Sequence, residues 1–397
     1  MEANKSYAYL PEDLLLKILE GTPKTADDLS SFLVSDDALV QSAKNALKEN
    51  GLILNLSNDK SFEEIIAADG AMIVEKMAGA DLLMAIAVGV EGLPSNKSGE
   101  WVGKGEQYYQ WQAALPHHVA NTRLAQGIMF LMELSILAKS EHAVRILDGS
   151  HITAILKLNS LLSAYDEEFA DEEYVNALNR FLNENYNKVI PDIPDIIDEA
   201  FSDNGIIALA KYSSSRDILD SSFLDKIDIP GDDKSFFSLI LEKGEFTFPM
   251  PVGQSKREFR QWKDIHISCN LPLNISEQEK SEFNLRLKKS IEPFKAANDK
   301  KSKLYFSYFK PFQDGLAYRV EIKEELANDL AEYEKYLNTI KNQIFFPEIQ
   351  EPYPQYLADI IAKNIAFGMD ALKQAVRSNP SLTGAKYFNL LHSYRSK

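Results

Sequence analysis

Four short apolar runs, interleaved with segments of helical period, most constrain what this chain can fold into. They are Ile65-Ile-Ala-Ala68, Leu82-Leu-Met-Ala-Ile-Ala-Val-Gly-Val90, Val144-Arg-Ile-Leu147 and Ile206-Ile-Ala-Leu-Ala210. A strand with one wet face alternates apolar and polar residues, whereas a strand covered on both faces reads as a continuous apolar run. Helical segments over residues 118–139, 152–162 and 171–186 separate these runs. The pattern predicts an α/β fold, a mostly buried mixed sheet flanked by helices.

Around that core, Leu14, Leu15, Ile18 and Leu19 recur at helix spacing, and a second helix is expected over 35–47 before Asn50-Gly51. Residues 1–57 therefore read as a helical N-terminal lead-in and 58–212 as the first part of the core. Residues 213–300, richer in charge, read as an inserted sub-domain with strand-like pieces at Phe236–Leu241 and Ile265–Ser268. Residues 301–397 read as the C-terminal part of the core. This last part is expected to hold a hairpin turning at Pro311 to Gly315, a long helix over 323–344, and a helix running to Arg377 with a Leu357, Ile361, Ile365, Met369, Leu372 stripe.

Two acids end apolar runs in Asp-Gly pairs, Asp69-Gly70 and Asp148-Gly149. Asp-Gly commonly closes a strand as turn chemistry alone. Yet a carboxylate at the C-terminal end of a buried strand also sits where α/β sheets bind ligands. Glu133 is the third acid: among residues 128–137 its only polar companion is Ser135, and residues three and four away (Met129, Phe130, Ile136, Leu137) are apolar. A carboxylate there is costly unless it meets a cation or shares a proton. Three such oxygen donors suit hard divalent cations, magnesium or manganese. Lys211, after the last apolar run, is placed to hold a phosphate oxygen or to snorkel to solvent, with Tyr212 beside it as a hydrogen-bond donor. Asp359 interrupts an apolar helix and is a candidate to complete the ligand shell. Arg319 and Glu321 share a strand face, which favours an ion pair over a phosphate contact.

Several classes are excluded. The six histidines form no HExxH pair, and neither a GxxxxGK[ST] loop, a GxGxxG loop nor a GxSxG elbow is present. One cysteine, Cys269, rules out a disulfide framework. Residues 1–30 carry charges throughout and no run is long enough to span a bilayer, so a cytoplasmic protein without membrane association is expected. The formal net charge of −16 runs against tight binding of nucleic acid by the chain alone. Basic runs at 256–263, 286–289 and 295–303 are the places to look for a phosphate track.

Taken in order, six elements resemble the NurA family, nucleases that work with HerA-type translocases: Ala67-Ala-Asp69-Gly70, Glu133 in its apolar helix, Ile146-Leu-Asp148-Gly149-Ser150, Ala208-Leu-Ala-Lys211, Tyr305 to Pro311 with Tyr318-Arg-Val-Glu321, and Tyr353-Pro354 with Leu357-Ala-Asp359. The resemblance covers roughly residues 62–376. It implies an RNase H-like core and a Mn²⁺-dependent (or Mg²⁺-dependent) DNA nuclease. It also implies a homodimer docked on a HerA-type hexameric ATPase, in DNA end processing or anti-phage defence. It casts Asp69, Glu133 and Asp148 as metal ligands, with Asp359 where the family often has histidine, and Tyr212 as the catalytic tyrosine. The competing expectation is a non-catalytic adaptor that keeps the fold and regulates the ATPase. A guide-dependent nuclease of the same fold would need a basic guide channel, which the sequence lacks.

Overall fold

The structure is a computed structural model. It describes residues 11–31, 37–57, 63–93, 103, 105–163, 193–210, 215–224, 229–253, 266–295, 302–345 and 351–379, with isolated positions at 172, 175, 176, 179, 180, 227 and 349.

Its strands are β1 (Ile53–Asn55), β2 (Ile65–Lys76), β3 (Asp81–Glu91), β4 (Tyr108–Leu115), β5 (Val144–Asp148), β6 (Ile206–Ala210), β7 (Glu245–Thr247), β8 (Met250–Pro251), β9 (Leu304–Phe309) and β10 (Tyr318–Lys323). They form one mixed sheet in the order β1-β7-β9-β10-β6-β5-β2-β3-β4, with β8 against β9. The three central strands β2, β5 and β6 are parallel, and every other pairing is antiparallel. The meander β2-β3-β4 followed by β5 and β6 on the far side of β2 is the arrangement expected of an RNase H-like core.

The apolar runs are continuous because the central strands are covered twice. Ile66, Ala68, Leu147 and Ala208 enter one core, shared with Leu124, Ile128, Leu131 and Leu134 of helix α4 (Ala120–Lys139) and with α5 (His151–Leu162). Their neighbours Ile65, Ala67, Ile146, Ile207 and Leu209 enter a second core with Tyr333, Leu337 and Ile340. Successive side chains on a strand point to opposite faces, so both sets must be apolar.

The described part of residues 11–49 is helical, as α1 (Glu12–Glu20), α2 (Thr22–Ser31) and α3 (Asp37–Glu49), with no residue of α1 buried, but Ile53–Asn55 of the expected helical lead-in is strand β1, paired with β7 in the sheet. Of the next helices, α6 spans Ile193–Ser202; the expected helix over 171–186 lies almost wholly outside the described residues. Four more expectations give way. Phe236–Leu241 is helical, in α7 (Asp233–Ile240): Asp232 caps it by accepting from Ser235 N at 2.7 Å, and Phe236, Phe237 and Ile240 are buried on helix spacing. The described part of 265–268 is no strand; it precedes α8 (Glu277–Ile291). The single helix expected over 323–344 is two, α9 (Glu324–Asn328) and α10 (Leu330–Asn342), because Asp329 leaves helical geometry and caps α10 through Glu332 N at 3.1 Å. The last helix likewise divides at Asn364 into α11 (Tyr353–Lys363) and α12 (Ile365–Arg377). The hairpin of β9 and β10 forms as expected.

Candidate active site

The site forms where the parallel ladder between β2 and β5 stops. The last pair in register is Ala68 with Leu147, after which β5 ends at Asp148. Gly149 then adopts φ +96°, a left-handed conformation that favours glycine, and Ser150 caps α5 by accepting from Thr153 N at 3.2 Å. Asp148 is thus delivered by a strand-to-helix turn.

Asp69 is delivered differently, and here the sequence expectation is corrected. It does not end its strand: β2 runs on to Lys76, paired to β3 with Asp69 opposite Val88. Losing its partner at the end of β5 opens the edge of β2 at Asp69, so register alone sets Asp69 beside Asp148. Gly70 is no turn residue, since β2 runs through it and pairs it with Ala87. Its role is clearance for α4. A Cβ there would lie 2.5 Å from Glu133 Oε1, 2.7 Å from Met129 Cγ and 2.9 Å from Ile86 O. The Gly70 N–H donates to Asp69 Oδ1 at 2.8 Å and lies close enough to the Glu133 carboxylate to favour its charged form.

Glu133 is 2% exposed, with Leu131, Met132, Leu134, Ile136 and Leu137 buried around it on α4. Burial holds its carboxyl well above the ordinary carboxylate range, the charges of Asp69 and then Asp148 push it further, and the Gly70 amide opposes them. The three acids expected from sequence therefore lie within electrostatic reach of one another. Among the described residues, no three acidic, histidine or cysteine side chains already surround a common point.

Helix α11 covers the same edge from β2 and β3, with Ala358 and Ala362 packed on Val88. From it Gln355, fully buried, donates Nε2 to Asp148 Oδ1 at 2.7 Å. Gln355 Oε1 is buried and has no partner among the described residues. Nothing in the sequence singled this residue out. Asp359, one turn on, pairs with Lys363 Nζ at 2.5 Å and keeps its side chain 24% exposed. Lys211 and Tyr212 lie outside the described residues.

Arg319 and Glu321 form the expected ion pair, Nε to Oε1 at 3.2 Å, and both are buried. Arg319 also reaches Asp217 at 3.3 Å and stacks over Phe306 at 4.2 Å, while Glu321 Oε2 accepts His151 N at 3.0 Å. This network anchors the start of α5, three residues past Asp148, and leaves Arg319 inside the protein.

Carboxylates from two neighbouring parallel strands and a covering helix, at the centre of an RNase H-like sheet, define the class: an α/β protein with acids brought near one another at the heart of its sheet. Comparison with known proteins makes this particular. The NurA domain matches residues 35–360, and the chain belongs to the NurA family of nucleases. Among solved structures, that of the NurA nuclease from Sulfolobus solfataricus is similar over 94% of this chain and 100% of that one, at 15% identity and a TM-score of 0.53. A structure of NurA bound to dAMP and manganese is similar over 92% of this chain and 97% of that one, at 11% identity and a TM-score of 0.48. Comparison with curated proteins gives no match. No described helix is long and apolar enough to cross a membrane.

Proposed function

We propose that the chain is a metal-dependent deoxyribonuclease whose cation is held by Asp69, Glu133 and Asp148. The observation that carries this reading is the setting of Glu133: a fully desolvated carboxylate whose charged neighbours are two more carboxylates. Buried acids of one sign need a cation or a proton. An all-oxygen donor set fits manganese or magnesium. Manganese is also the metal in solved structures that carry the NurA name.

The residues divide the work. Asp69 and Asp148 offer carboxylates at the open strand edge, and Glu133 closes the site from the α4 side, where apolar neighbours keep water out. The chemistry supplied by a bound divalent cation is activation of the attacking water and neutralisation of charge on the leaving oxygen of a phosphodiester. Without a cation, the same acids repel the phosphate backbone. Lys211, which follows the last residue of β6 in sequence, is our candidate for a phosphate oxygen, with Tyr212 next to it in sequence. Asp359 is a fourth oxygen donor once it leaves Lys363. The family reading extends to a homodimer acting on DNA with a HerA-type hexameric ATPase, in end processing or anti-phage defence.

The test is cleavage of linear DNA by the purified chain with manganese or magnesium. We expect Asp148→Ala to lower the rate at least about 100-fold, as losing a ligand should cost no less than losing its supporting partner. Chelation should abolish activity. An Asp148→Ala protein that cuts as fast as the unaltered chain would sink the mechanism.

A further inference from the structure

Gln355 is a polar side chain where α11 otherwise presents small or apolar residues. Pro354, Ala358 and Ala362 are buried beside it, and the two alanines let the helix lie close on the sheet at Val88. Close approach takes the Gln355 amide fully out of solvent. A buried amide is tolerated when its hydrogen bonds are made. Half of them are: Nε2 donates to Asp148 Oδ1 at 2.7 Å. The carboxylate fixes which way round the amide sits, because an acceptor-only group must face the NH₂ end. Oε1 is then committed to the other side, where it is buried and meets no donor among the described residues. An amide's two ends are covalently close, so this unpaired acceptor stays near the Asp148 carboxylate.

We propose that Gln355 is a positioning residue of the carboxylate site: Nε2 orients Asp148, and Oε1 accepts a hydrogen bond from a water of the bound cation. The inference rests on the nuclease reading above. Manganese and magnesium held by a few carboxylates keep several waters, and each such water is a donor in need of an acceptor. A purely structural pin would need the Asp148 bond alone and would have no use for the free oxygen.

The test is manganese affinity of the full-length chain, measured by electron paramagnetic resonance of free Mn²⁺ during titration. Circular dichroism and metal-free melting report folding alongside it. We expect Gln355→Met, close in size but with no acceptor, to bind manganese roughly tenfold more weakly or worse, the effect of losing an outer partner of a ligand. Gln355→Glu puts an anionic acceptor in the same place and should bind manganese more tightly than the unaltered chain, while melting lower without metal because it faces Asp148. If Gln355→Met does not fold, Gln355→Glu decides alone. Unaltered affinity in the folded Met variant, or in the Glu variant, overturns the inference. A wild-type chain that binds no manganese overturns the nuclease reading itself, which keeps the two failures apart.

Discussion

Asp233 faces a different problem from Glu133, and the contrast separates a folding acid from an acid proposed as a metal ligand. Its carboxylate accepts Ile218 N at 3.0 Å and Leu219 N at 2.9 Å, two donations that favour the charged form. Burial outweighs them and pushes its pKa up to about 7, with Asp217 adding to the rise and Arg319 opposing it. It is fully buried and both its oxygens are taken by backbone amides, so the group acts on stability. An aspartate with a raised folded pKa keeps its proton in the native state while the unfolded chain, titrating near 3.9, has lost it. The native state therefore binds more protons between about pH 4 and 7, and its stability falls as pH rises through that window. Asn resembles the protonated acid. Asp233→Asn should compare better with wild type at pH 8 than at pH 5, by roughly 2 kcal/mol of unfolding free energy at about 1.4 kcal/mol per pH unit. Denaturant melts of both proteins at the two pH values measure it, and a difference between the proteins that does not change with pH would refute the assignment. The loss of one acceptor in Asn lowers stability at both pH values alike, so it does not disturb the comparison.

At the scale of elements, the site depends on how closely α4 can approach its neighbours. Gly127 lets it meet α5: a Cβ there would lie 2.2 Å from Leu161 Cβ, 3.0 Å from Lys157 O and 3.1 Å from Leu161 Cα. Ala in place of a mid-helix Gly normally gains up to about 1 kcal/mol of helix propensity. Here backbone must shift, and overpacking of that kind costs about 1–3 kcal/mol or more. Gly127→Ala should lower the melting temperature by several degrees and, by displacing α4, move Glu133 and reduce cleavage. A variant that melts as high as wild type would show that the two helices have slack. The glycines also mark how far the sequence could be read. Continuous apolar runs disclosed β2, β3, β5 and β6 because double burial writes itself into residue type. Glu133 was legible for the same reason, a charge in an apolar setting. The Asp69-Gly70 pair misled, since Gly70 answers to Met129 and Glu133 of a helix far along the chain rather than to a turn. The breaks at Asp329 and Asn364 fell inside good helical periodicity. Edge strand β4 has a period-two signal in Tyr109, Trp111, Ala113 and Leu115, but half-exposed strands mix polar residues into it. Gln355 carried no signal at all, because its burial is set by the alanines that dock α11 and by an acid about two hundred positions earlier.

For the whole molecule, the governing quantity is charge. At a formal −16, the chain meets a polyanion with its long-range field set against it. Non-specific DNA binding rests on Lys and Arg neutralising phosphates and typically reaches about 10⁻⁴–10⁻⁶ M at physiological salt. Part of the basic supply in the described surface is already engaged, Arg286 with Asp195 and Lys295 with Glu292. Alone, the chain should therefore bind a linear duplex at or beyond the weak end of that range, measured by fluorescence anisotropy. A ring-shaped ATPase that holds the DNA and the nuclease together replaces encounter by tethering, where effective concentrations reach about millimolar and gains of roughly 100-fold or more need no new contact with the DNA. Adding a HerA-type ATPase should raise the initial cleavage rate by about that factor at fixed manganese and salt. The gain should be largest at the higher ionic strengths, where unaided binding is weakest. An equal rate with and without the ATPase would refute the delivery role. An ATPase whose turnover changes while no DNA is cut would instead identify the chain as a regulator, and the acids at the edge of β2 would then have to serve a cation without catalysis.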